Sequence, residues 1–463
     1  MSHRLLQPRH LPRVLHLFDL SVLSSASMSP AYSIASTMGP MVAVAGTASP
    51  LALIVISAIM FCMAIAFAEL SRVWPNAGSS YSWIRNAFGN AVGAYGAWLL
   101  LLSNFFATMA TAVPAGAYTL ALIAPARADD PIWAAGVGAI WIVASAVLLY
   151  AGIRPTALVT AVALAVELGV LAISALVALF GPHAHAVVDQ PHAHLPAIPL
   201  TLFGLLSAMT LAVWMSDGWE VSSSAAEEVD GSARAPGRGG ITGLLVTTVV
   251  LVGCMLAYLR LGTPQGFAAN QSDAMVYVGD LLGGGPWRIA IVVTVLVSTC
   301  SALWTTILYL SRSVYAMGRD GLLPKSMGRL DGRSEPLWAL GVVAALVTVC
   351  ELLTGFSKTA AAQLGLVLNV SAVFLGLLFV LSALACARRF WNVPEKRLTG
   401  VIVPLTGACS LLAILVATVW LEDPGLRMYA LGGAVLGVPF ALWGAAAIGR
   451  CEVGPPEHPA TAS

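Results

Sequence analysis

Hydrophobic residues fall along this chain in long blocks separated by short polar connections. Twelve apolar runs are visible, at residues 20–45, 50–69, 91–123, 131–151, 155–180, 199–226, 241–261, 287–317, 337–353, 360–387, 401–421 and 428–448. A helix needs about 20 apolar residues to cross a bilayer core. The pattern therefore predicts an all-α integral membrane protein of about 12 transmembrane helices. A short segment (1–18) precedes the spans, and a disordered tail (451–463) follows them.

Two runs are interrupted. The first, FDLSVLSSASMSPAYSIASTMGP, has Ser27, Ser29 and Pro30 in its middle, and the sixth has Ser216, Asp217 and Gly218. Proline removes a backbone donor, and glycine lowers the cost of unwinding. Breaks in the first helix of each five-helix half suggest a 5+5 inverted repeat, whose broken helices meet at the binding site. The repeats would cover about 19–181 and 199–387, with two extra C-terminal helices at 401–448.

Charge then orients the chain. Five cations (Arg127, Arg260, Arg288, Lys358, Arg427) fall in one set of loops, leaving 18 of the 23 Lys and Arg on the other side. The positive-inside rule places both termini in the cytoplasm of a cell with this protein in its cytoplasmic membrane. Composition agrees, with 58% hydrophobic and 10% charged residues, against about 25% charged in soluble domains. A net charge of +1 argues against nucleic acid as a partner. The seven cysteines are scattered without a CxxC pair and read as apolar fillers.

Glu167 stands near the middle of the fifth run, with no Lys or Arg inside the apolar stretch to pair with it. A charged group there costs roughly 2.5–3.5 kcal/mol, and such groups usually mark a proton or ion path. It is the candidate for proton coupling, with sodium ligation and a structural hydrogen bond as the alternatives. Asp217 needs a partner at its depth, either backbone donors of the unwound turn or a substrate amine. Glu220 follows one turn later, as a proton site or a helix-to-helix partner.

Three segments, FAELSRVWPNAGSSYSWIRNAFG (67–89), GWEVSSSAAEEVDGSARAP (218–236) and SRSVYAMGRDGLLPKSMGRLDGRSEPLWAL (311–340), resemble loops of amino acid–polyamine–organocation transporters. That resemblance implies alternating access around a central site and transport of an amino acid or related amine. No cofactor is expected, and the buried Glu167 favours H+ over Na+ as the coupling ion, with exchange as the other mode. The first helix departs from the glycine-rich break of many members, because Ser27-Met28-Ser29-Pro30 stands there. The amides of Ala31 and Tyr32 remain as donors for a substrate carboxylate. Trp214 is similar to a gating aromatic, and Glu167 stands where several prokaryotic members carry a Lys. The expected site is Ser27, Ser29, Ala31, Tyr32, Thr108, Trp214, Ser216, Asp217 and Gly218, with Asn104, Thr305, Thr306, Asn369 and Ser371 as further polar groups.

Other readings fit less well. A major-facilitator transporter would show a longer central loop than 227–240, and a membrane-embedded enzyme would need a nucleophile or metal set within the spans. No HExxH or GxxxxGK[ST] motif occurs. A transporter-derived sensor would bind without accumulating its ligand. The pairs His183/His185 and His192/His194 read as a solvated loop rather than a metal site. Glu227 and Glu228 are expected to pair with the basic loop after the eighth span.

Overall fold

Proline and serine explain how the chain begins. Helix α1 (Leu17–Ser27) stops where Ser29 takes a left-handed φ of 43°. The following Pro30 disfavours the helical region for the residue before it. The chain resumes as α2 (Pro30–Ser33), a π turn (Ile34–Met38) and α3 (Gly39–Ala45), then folds back at Gly46–Ala48 into α4 (Ser49–Val73). These coordinates are a computed structural model, which describes residues 10–181, 198–356, 360–421 and 424–452. The four histidines of the His-x-His pairs and residues 453–463 of the tail lie outside the described residues.

Helices α5 (Ser80–Phe88), α6 (Asn90–Ile123), α7 (Pro131–Tyr150) and α8 (Ile153–Phe180) complete the first half. The second half opens with α9 (Leu202–Met215), which breaks before the short α10 (Val221–Ser224). It continues through α11 (Ala235–Leu261), two short helices α12 (Pro264–Ala269) and α13 (Ala274–Leu281), α14 (Gly285–Arg319), α15 (Leu337–Thr354) and α16 (Ala360–Phe390). Last come α17 (Val403–Leu421) and α18 (Pro424–Glu452). Among the described residues the only strand-like feature is an isolated bridge between Leu15 and Val229.

Among the described residues, ten helical stretches are long and apolar enough to span a membrane. The twelve runs of the sequence become ten for two local reasons. Leu17–Val73, which breaks at Ser29 and folds back at Gly46–Ala48, takes the first two runs together, and the longest helix left in the sixth run is Leu202–Met215. The spans differ in depth. In α14, 83% of the apolar window is buried, against 22% for Arg427–Arg450, so α14 is a central pillar and α18 is peripheral. Ile140, Leu158 and Val435 are 67%, 68% and 68% exposed. Apolar surface of that extent on a long helix is stable only where lipid covers it.

Inside, polar groups replace the lost helix bonds. Pro114 lies within α6 and has no N–H to offer the carbonyl of Ala110 four residues earlier. The Tyr32 hydroxyl donates to that carbonyl at 2.7 Å. Pro114 is thus where the first broken helix is tied to α6. Small residues set the α6–α7 approach. A Cβ on Gly116 would come within 2.0 Å of the Ala134 carbonyl oxygen, so no larger residue fits there.

At the end of the bundle that carries residues 11–15, charged groups are paired. The Arg312 guanidinium grips Glu228 with two bonds (2.9 and 3.2 Å) and Glu335 with a third (2.8 Å). Arg312 and Glu228 are 1% and 0% exposed in their side chains. The backbone of Val14 and Leu15 donates to the Glu228 carbonyl, so the N-terminal segment is laced to the same knot. Arg319 holds Glu227 at 2.7 Å. Arg319, the partner of Glu227, lies just past the eighth apolar run, as expected, whereas Arg312, the partner of Glu228, lies within that run on α14. A helix fixes a guanidinium more firmly than a loop does. Burial pushes the Glu227 carboxyl up, but the Arg319 bonds and charge outweigh it and hold the group below its ordinary range.

Candidate functional site

The two breaks touch. Gly218 has a φ of +106°, and a Cβ there would stand 2.7 and 2.8 Å from the Ser27 carbonyl carbon and oxygen. Only glycine lets the two backbones come so close. Around this contact lies a cavity lined by Ser27, Ser29, Trp214, Asp217, Gly218 and Glu220 among others. Its volume is about 30 Å³, room for roughly two waters.

Five of the nine expected residues, together with Glu220, are therefore gathered around one space, and four are not. The Ala31 amide is taken by Glu167, and the Tyr32 amide by the Ser298 hydroxyl at 3.1 Å. The ring of Tyr32 faces a second cavity of about 240 Å³, with Tyr118, Asp129 and Asp273. Thr108 donates to the Asn104 carbonyl of its own helix, and Ser216 is buried outside the lining. Of the further polar groups, Asn104, Thr306 and Ser371 line the cavity, while Thr305 donates to Ser301 within α14. The side chain of Asn369 lies outside the described residues. Thr111 bonds back to its own helix in the same way yet lines the cavity, so the face of the helix on which each residue falls decides the difference.

Glu167 sits just behind the first break. Its Oε1 accepts from the Ala31 amide at 2.8 Å and from the Ser298 hydroxyl at 2.6 Å. The carboxyl of α8 thus caps the short helix α2 from outside and connects it to α14. It occupies the place that a substrate carboxylate was expected to take. Glu220 accepts from the Gly218 amide at 3.1 Å, so it stabilises its own unwound turn rather than a neighbouring helix.

Several residues escaped the sequence reading. Tyr309 of α14, Ser33, Ser103 and Thr111 line the cavity, and nothing in their local pattern distinguishes them from other small polar groups in apolar runs. Phe67 packs edge-on against Trp83 and Trp219 at 5.0 Å and against Phe379 at 5.4 Å, forming an aromatic floor directly after the second break. Glu351 of α15 is fully buried, and a Cβ on Gly138 would meet its Oε1 at 2.5 Å. A lone Glu in the ninth run was its signal, the same signal that marked Glu167. Among the described residues no three His, Cys, Asp or Glu side chains are grouped to hold a metal ion.

Comparison with known proteins decides the family. The amino acid permease family model matches residues 15–440. The chain belongs to the amino acid permease family. Among similar proteins, the branched-chain amino acid permease BcaP of Lactococcus lactis is 27% identical over 310 residues, which is 62% of this chain and 64% of BcaP. This chain thus spans less than two thirds of that relative's length. An uncharacterized transporter of Mycobacterium tuberculosis is 28% identical over 458 residues, covering 95% and 94% of the two chains. The methylthioribose transporter of Bacillus subtilis is 24% identical over 361 residues, covering 73% and 75%. This permease is accordingly a multi-pass membrane protein of a transporter family, and amino acid transport is the activity that family carries.

Proposed function

We propose that this permease is a secondary active transporter that moves an amino acid or a related amine across the cytoplasmic membrane by alternating access. The observation that carries the reading is the contact of Gly218 with Ser27 and Met28, which puts two broken helices against one polar cavity. Unwound backbone within a membrane protein is tolerated where it lines a cavity, and such sites bind the cargo. With no phosphate-binding loop in the sequence, a gradient or exchange supplies the energy. Both termini lie on the cytoplasmic side by the distribution of Lys and Arg.

Protons couple transport through Glu167, in preference to Na+. Its carboxylate holds α2 to α8 and α14 through Ala31 and Ser298. An ionised carboxylate is a stronger acceptor and a better partner for a helix N-terminus than a neutral acid. Deprotonation therefore tightens this link, and protonation loosens the first broken helix for movement.

The test is uptake into liposomes with an imposed pH gradient. Wild-type protein concentrates substrate, whereas Glu167→Gln retains counterflow exchange and loses gradient-driven accumulation. If the Gln variant still concentrates substrate, Glu167 is a structural hydrogen-bonding group. If wild type accumulates no amino acid or amine, the transport reading fails.

A further inference from the structure

Resting on that reading, we infer that the cavity selects a substrate with net positive charge, an amine whose ammonium is not balanced by a carboxylate. The first argument is an account of donors. A zwitterion held at a helix break needs free amides for its carboxylate. Met28 and Ser29 amides bond to the carbonyls of Ser24 and Ala26. Residue 30 is proline. The Ala31 amide is held by Glu167, the Tyr32 amide by Ser298, and the Ser33 amide by the Ser29 carbonyl. Every amide of the first break, from 28 to 33, is committed. In the second break, Ser216 and Asp217 bond back into α9 and Gly218 bonds to Glu220.

The second argument is charge. The cavity is lined by two carboxyl groups, Asp217 and Glu220, and by no Lys, Arg or His. The two carboxyl groups are close enough to interact directly. Oδ1 of Asp217 is buried and without a hydrogen-bond partner. Glu167 adds a third carboxyl immediately behind the break. Arg312, the cation of α14, is buried in its own knot with Glu228 and Glu335. A further carboxylate entering beside Asp217 and Glu220 finds no cation in the lining, while an ammonium finds two carboxyl groups to accept its hydrogen bonds.

Two more groups fit an amine-bearing guest. Trp214 is 8% exposed and lines the cavity, and its ring offers a face to a cation. Neither its Nε1 nor the Tyr309 hydroxyl has a hydrogen-bond partner within the protein. These neutral groups serve a polar body of the substrate without countering its charge. The selectivity differs from that named for the branched-chain relatives, and the residues responsible are Asp217 and Glu220.

A matched ligand set tests the charge directly. Leucine, leucinamide and isopentylamine share one side chain and differ in whether a carboxylate is present; lysine keeps the carboxylate and adds an ammonium. Each is titrated against purified full-length protein by thermal shift, and each competes for uptake in proteoliposomes. Leucinamide and isopentylamine are expected to bind at least tenfold more tightly than leucine, and lysine, which keeps the carboxylate, less tightly than either. Asp217→Asn reduces that preference by about tenfold, and its ligand-free melting temperature reports whether it is folded. Leucine binding as tightly as leucinamide to the wild type overturns the inference while leaving the transport reading intact. Failure of all four to bind or compete overturns the inference, and the transport reading is then judged separately by accumulation of other amino acids and amines. Because the comparison is made on the wild type, it stands even if the variant does not fold.

Discussion

Replacing Gly218 by alanine probes the contact on which the site depends. Two costs add. At φ +106° an L side chain is strained, by about 1–3 kcal/mol. The new methyl also stands 2.7 Å from the Ser27 carbonyl carbon, 2.8 Å from its oxygen and 3.0 Å from the Met28 amide nitrogen. These are backbone atoms, so no rotamer change relieves them, and overpacking of this kind costs typically about 1–3 kcal/mol. The sum is roughly 2–6 kcal/mol, relieved only by parting the two breaks. Gly218→Ala is therefore expected to melt at a lower temperature in detergent and to transport poorly. The control is Gly253→Ala, on α11, where an added Cβ meets nothing within 4 Å. Helix propensity makes that change neutral or stabilising by up to about 1 kcal/mol. If Gly218→Ala melts and transports like wild type while Gly253→Ala does too, the breaks are not in the contact described.

The remaining predictions concern the supporting structure. Arg312→Met leaves Glu228 and Glu335 buried and unpaired, and is expected to cost about 3–5 kcal/mol, read as a lowered melting temperature; the triple change with Glu228→Gln and Glu335→Gln recovers much of that loss. Tyr32→Phe orphans the Ala110 carbonyl freed by Pro114 and is expected to destabilise by about 1–3 kcal/mol, an effect that Tyr32→Phe lacks when Pro114→Ala restores the helix bond. Glu227 sits below its ordinary carboxylate range beside Arg319, so its contribution is present above a pH of about 4.3, the unfolded value, and is lost as pH falls through the folded one. Melting curves from pH 6 down to 3 check this: wild type loses more stability than Glu227→Gln across that window, and equal losses would refute it.

Membrane fold and family were legible in the residues because both rest on one-dimensional signals. Runs of about 20 apolar residues declare themselves through length, and the loop segments 67–89, 218–236 and 311–340 are contiguous. Ser29-Pro30 and Asp217-Gly218 announced the breaks for the same reason, since proline and glycine act on their own backbone. Glu167 was visible as a lone carboxyl among apolar neighbours.

What the sequence left open depends on partners far apart along the chain. Ala31 and Tyr32 carry amides of the expected kind, yet Glu167 and Ser298, 136 and 266 residues away, already occupy them. Thr108 and Thr305 look no different from Thr111 and Thr306; helix rotation alone decides that the second pair meets the cavity. Tyr309 and the Phe67 floor gain meaning only when α14, α4 and α16 are packed together. By itself the chain determined where its helices lie and where they break, because those are local properties of backbone and hydrophobicity. Which donors remain free, and hence what charge the cavity accepts, was decided by the tertiary structure, since a hydrogen-bonding group is used or available only according to what the fold brings against it.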